Sequence, residues 1–248
     1  PDYQGEDSEK PPLIVMSHGG PTAATSTALS GKIQFWTTRG FAVLDVNYRG
    51  STGYGRTYRE KLLGEWGVAD VDDCEAGALY AADQGWVDRD RMAIRGGSAG
   101  GYTTLAALTF RSTFRVGASY YGVSDIQALD EETHKFESRY TQRLIAPLPE
   151  GQETFHARSP IHHAENLDCP VIFLQGLDDK VVPPNQSEEM ANVLQKKGIP
   201  TCYIAYEGEG HGFRKPETTA HSILSELAFY AHVFGFTPAD ECPELDWM

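Results

Sequence analysis

Short apolar runs alternate with longer stretches of mixed polarity from one end of the chain to the other. Leu13–Met16, Phe41–Val46, Met92–Arg95, Val116–Tyr120, Val171–Gln175 and Cys202–Tyr206 read as strands bounded by turn-forming residues. Residues 26–39 read as a helix that Gly40 terminates. A second helix spans 70–83, with Val71, Cys74, Ala78 and Ala82 on one face. A third follows the Gly-rich segment after Arg95 and runs to about residue 110. Asn185 with Glu188 forms a capping-box start for a fourth, which carries Met190, Val193 and Leu194 and stops at Gly198. Ile223, Leu224, Leu227, Tyr230, Ala231 and Phe234 mark a last amphipathic helix. Residues 122–167 show no clear strand, and a connection of that length is usually functional or carries short helices of its own.

Apolar strands alternating with helices predict a parallel sheet covered on both faces and wound by right-handed crossovers. The fold class is therefore α/β, a doubly wound, mostly parallel sheet. One domain over 13–236 accounts for it, with a polar leader or linker at 1–12 and a C-terminal tail at 237–248. Composition narrows the function. The 248 residues are 40% hydrophobic and 23% charged, as in a soluble globular protein. A net charge of −14 argues against a nucleic-acid partner, whose binders usually present a basic face. No apolar run approaches the ~20 residues needed to span a bilayer, so no membrane partner is expected. Cys74, Cys169, Cys202 and Cys242 form no CxxC pair, which suggests free thiols in a reducing, cytoplasmic compartment. Asp70, Asp72 and Asp73 crowd the start of the second helix, where a solvated helix terminus is a better reading than a metal cluster.

The chemistry concentrates at strand ends. Gly96-Gly97-Ser98-Ala99-Gly100-Gly101 lies between a strand and a helix, the setting of a nucleophile elbow. There the serine needs a tight turn, and a side chain at Gly96 or Gly100 would strike the neighbouring strand and helix. In this fold the partners follow in the order Ser, Asp, His. Asp178 and Asp179 follow the strand Val171–Gln175, and Asp178 is preferred to Asp179 as the orienting acid. His211 follows the last strand between two glycines, the only one of eight histidines so placed. His18-Gly19-Gly20-Pro21 follows the first strand, where an oxyanion loop belongs. Gly20, with Gly19 as alternate, and Ala99 are the expected backbone donors.

HGGP, NYRGSTGYG, GGSAGGY, GLDDKVVP and EGEGHGFR together resemble the prolyl oligopeptidase family of serine peptidases, in particular its acylaminoacyl-peptidase and dipeptidyl-peptidase-like members. The resemblance runs from about residue 13 to 236. It implies an α/β-hydrolase fold and a peptidase acting on short or N-blocked peptides through an acyl-enzyme. Ser98 would be nucleophile, Asp178 acid and His211 base, with no metal or organic cofactor. Members often carry Tyr after the nucleophile, and Ala99 departs from that by leaving more room. Lys180 stands where many have Arg or Asn beside a substrate carbonyl. Val181, Val182, Tyr120, Tyr121, Phe136 and Tyr140 are candidates for an apolar pocket, with core packing an equal alternative for the last four.

The resemblance also implies an N-terminal β-propeller partner in a longer protein, and leaves a homo-oligomer open. In the hydrolase fold the oxyanion loop follows the third strand, whereas here it follows the first. The sheet should therefore lack the fold's first two strands and leave Phe41–Val46 as an open edge. A carboxylesterase and a non-catalytic binding module on the same fold are the rival functions.

Overall fold

The computed structural model describes residues 9–132 and 139–248. Six strands, β1 (Leu13–Ser17), β2 (Ala42–Val46), β3 (Met92–Gly97), β4 (Val116–Tyr120), β5 (Val171–Gly176) and β6 (Thr201–Tyr206), form one sheet in the order β2-β1-β3-β4-β5-β6. Every pairing is parallel.

Because side chains alternate along a strand, each strand feeds two cores. Leu13, Val15, Met92, Ile94, Val171 and Phe173 face one side. There they meet α3 (Ala69–Asp83), α4 (Ala99–Phe110) and α8 (Asn185–Lys197). Ile14, Met16, Ala93, Ala118, Ile172 and Leu174 face the other, under Trp36 of α1 (Gly31–Thr37) and Leu227, Phe229 and Tyr230 of α9 (Pro216–Phe234). Among the described residues the long connection holds four short helical segments: α5 (Ile126–Glu132), α6 (Tyr140–Leu144), α7 (Gln152–Arg158) and a 3-10 turn at Pro160–Asn166. The remaining helix, α2 (Arg56–Glu60), follows β2.

Four local readings change. The first helix begins at Gly31, not 26, because Ser30 caps it by accepting from Ile33 N. The Ser/Thr-rich residues before it bond to β2 and to the residue after that strand instead, through the Thr25 hydroxyl to Asp45 and Thr25 N to Asn47 Oδ1. Asn185 caps nothing: Pro184 occupies the N-cap position and no side chain satisfies the first turn. Asp70 is fully buried rather than solvated, accepting from Gly67 N and Thr103 Oγ1 at 2.6 Å each. Residues 237–248 are more than a tail, since Cys242, Leu245 and Trp247 pack on the second core and Met248 N bonds Thr201 O at 2.9 Å. That contact, with an antiparallel bridge from Trp247 to Cys202, covers the β6 edge. Among the described residues β2 pairs only with β1, and all five of its residues are partly exposed.

Candidate active site

The turn between β3 and α4 puts Ser98 at φ 58° and ψ −124°, a conformation that costs an L-residue ~1–3 kcal/mol. Sterics enforce it. A Cβ on Gly96 would lie 2.3 Å from the Gly100 carbonyl, and one on Gly100 would lie 2.1 Å from Ser17 O. Only glycine lets β3, the turn and β1 approach so closely. Ser98 N donates to Tyr120 O at 3.0 Å, fastening the turn to the next strand.

His211 reaches this serine from the loop after β6. Its Nε2 lies 2.8 Å from Ser98 Oγ, and its Nδ1 lies 2.8 Å from Asp179 Oδ2. The carboxylate that meets His211 is therefore that of Asp179 rather than Asp178. Asp179 folds inward because its Oδ1 accepts from Val181 N and Val182 N at 2.9 Å each, an Asx-type turn. Its side chain is wholly buried. Asp178 contributes its backbone, with N donating to Glu209 O at 2.9 Å, and its side chain is exposed. The acid and base loops touch at Gly176, where a Cβ would stand 2.5 Å from Glu209 O. Glu209 escaped the sequence reading. It is buried, and its carboxylate accepts from Arg214 N at 2.9 Å and Lys215 N at 3.0 Å, shaping the turn that carries His211.

Opposite lies the loop His18–Pro21. Tyr48 OH donates to His18 O at 2.9 Å and to Pro21 O at 3.1 Å. The His18 ring stacks on Tyr48 with centroids 4.2 Å apart, and its Nδ1 donates to Gly19 O at 2.8 Å. Ser51 Oγ stands 2.7 Å from His18 Nε2. Burial holds the His18 pKa below the usual histidine range, which favours a neutral ring in this bridge. The NYRGSTGYG segment thus braces the His18–Pro21 loop. Neither Gly20 N–H nor Ala99 N–H has a protein acceptor among the described residues.

These elements surround a cavity of about 820 Å³ that contains Ser98 and His211. Val181, Val182, Tyr120, Tyr121 and Tyr140 line it, together with Trp66, Val123 and Leu129, which the sequence did not single out. Lys180 is exposed and does not line the cavity. Phe136 lies outside the described residues. Tyr120 does double duty, since its OH donates to Glu226 Oε2 at 2.5 Å beside the buried ion pair Arg95–Glu226 at 2.7 Å.

A family model described as the prolyl oligopeptidase family matches residues 27–237. The chain belongs to the prolyl oligopeptidase family. Among solved structures, a Mycobacterium tuberculosis puromycin-hydrolyzing peptidase is 50% identical, with TM-score 0.94 over 98% of this chain and 36% of that one. A puromycin hydrolase is 44% identical, with TM-score 0.96 over 100% of this chain and 38% of its own. The dipeptidyl aminopeptidase BIII of Pseudoxanthomonas mexicana is 34% identical over 90% of this chain and 33% of its own length. This prolyl oligopeptidase family chain thus spans about a third of the relatives it matches. No helix among its described residues is long and apolar enough to cross a membrane.

Proposed function

We propose that the chain is the catalytic part of a serine peptidase that cleaves short or N-blocked peptides by acyl transfer. The Asp179–His211–Ser98 relay, with 2.8 Å at each step, carries the reading. His211 takes the Ser98 proton as Oγ attacks the scissile carbonyl, and the developing oxyanion rests on the N–H groups of Gly20 and Ala99. His211 then protonates the leaving amine and activates water to release the acyl group. Asp179 holds the imidazole tautomer and orientation throughout. The pocket of Trp66, Val123, Leu129, Tyr140, Val181 and Val182 favours a large apolar residue before the cut bond, on the grounds of its apolar lining.

The puromycin-hydrolysing relatives make puromycin itself a substrate to try. An N-terminal β-propeller that filters substrates belongs to the same reading, supported by the third of each relative that this chain spans. A cytoplasmic location is supported by the four free cysteines. The test has two arms. Fluorophosphonate labelling should appear on the protein and vanish in Ser98→Ala. Profiling on peptides with free and acetylated N-termini should then show amide cleavage after apolar residues. Ester turnover without any amide turnover would mark a carboxylesterase and refute the peptidase assignment.

A further inference from the structure

The cavity around Ser98 carries a polar stretch of wall as well as its apolar one. In the sheet, β1 and β2 lie on one side of β3, and β4 and β5 lie on the other. Segments that follow them therefore flank Ser98 from opposite directions. Val123, Val181 and Val182, with Trp66 from the segment after β2, form the apolar part of the wall, whereas the polar residues Thr25, Ser30, Lys32 and Asp45 come from the β1–β2 side and Arg95 from β3. A peptide whose acyl residue fills the apolar pocket must run its leaving portion toward this second, polar side.

The charges there differ in their freedom. Arg95 is buried, and its Nε donates to Glu226 at 2.7 Å. Asp45 accepts the Thr25 hydroxyl. Lys32 is exposed and has neither ion pair nor hydrogen bond among the described residues. Its pKa lies below the usual lysine range: Arg95 is the largest single influence, partial desolvation beside the cavity adds to it, and Glu226 and Asp45 act in the opposite direction. A cation that lines a reaction cavity with no carboxylate in ion-pair range among the described residues leaves its ammonium open to an anion. A peptide carries one such anion at a fixed place on every leaving fragment, its free α-carboxylate.

We infer that Lys32 binds the C-terminal carboxylate of a short leaving peptide, selecting substrates that are cut near their C-terminus. The inference rests on the acyl-transfer reading above. Its test uses peptides identical up to the scissile bond, with leaving portions of one, two or three glycines ending in carboxylate or carboxamide. Wild-type kcat/KM should favour the carboxylate roughly fivefold at the best-fitting length, in the range of charge-assisted contacts at a partly solvated site. The preference should shrink as salt rises. It should disappear in Lys32→Gln and invert in Lys32→Glu. Because each ratio compares two substrates on one enzyme, a partly unfolded variant does not distort it. A wild-type ratio near one at every length, or a ratio unchanged in Lys32→Gln, would overturn the assignment. If no peptide is cleaved while fluorophosphonate still labels Ser98, the acyl-transfer reading fails first and takes Lys32 with it.

Discussion

The two flanks of Ser98 are held by different kinds of contact. On the acid–base flank, backbone meets backbone where Asp178 N bonds Glu209 O and Gly176 abuts Glu209 O, and two backbone amides clamp the Asp179 carboxylate. On the oxyanion flank, side chains do the holding: Tyr48 OH on two carbonyls, and the His18 ring between Gly19 and Ser51. The first kind leaves no room for adjustment. The second can be trimmed one hydroxyl at a time, so damage there should be graded.

The contrast can be broken most sharply at the paired aspartates. Asp179→Asn should lower kcat by ~10⁴, as loss of the tautomer-fixing acid does in related triads, while Asp178→Asn stays within about twofold. A larger loss in Asp178→Asn than in Asp179→Asn would reverse the assignment. Next comes Gly176→Ala, which sets a methyl against Glu209 O. It should lower kcat by roughly 10²-fold and destabilise by ~1–3 kcal/mol, read from kinetics and urea midpoints. On the other flank, Tyr48→Phe removes the hydroxyl from His18 O and Pro21 O. A loss of about tenfold in kcat with little change in KM is expected, with ~1 kcal/mol of stability. Collapse as severe as that of Gly176→Ala would show that the oxyanion flank is no more tolerant.

The smallest effect on activity, but a clear one on stability, should come from Asp70. Burial raises its pKa from 3.8 to about 6, against the hydrogen bonds from Thr103 and Gly67 that favour the charged form. A carboxyl that is harder to ionise folded than unfolded binds more protons in the native state between those values. Stability from this group is thus fullest below about pH 4, falls as pH rises toward 6, and is lost by about 3 kcal/mol above it. Asp70→Asn should therefore gain stability over wild type at pH 8 and keep less of that advantage at pH 5. Denaturant melts at the two pH values measure this directly.

Much of this was legible from the chain alone, for identifiable reasons. The strands were visible because both faces of the central ones are buried. Ser98 and His211 stood out because close backbone approach demands glycine around them. Asp179 was not separable from Asp178, because the choice depends on which carboxylate meets the amides of Val181 and Val182 within one tight turn. The burial of Asp70 was hidden for another reason: its partner Thr103 stands 33 positions away, on another helix. Arg95 and Glu226 are separated by 131 positions, and no local pattern announces a pair that forms only when α9 closes over the sheet. Ser30 and Pro184 displaced the expected helix starts through capping geometry that spacing alone does not encode.

The turn that holds Asp179 has a consequence for how this chain can diversify. Val181 and Val182 give the acid their amides, while their side chains form part of the pocket wall. Chemistry and selectivity therefore read different parts of the same two residues. Any replacement that keeps an N–H can reshape the pocket without retuning the acid, and only proline is barred. Substrate range can drift at these positions while the catalytic relay stays fixed.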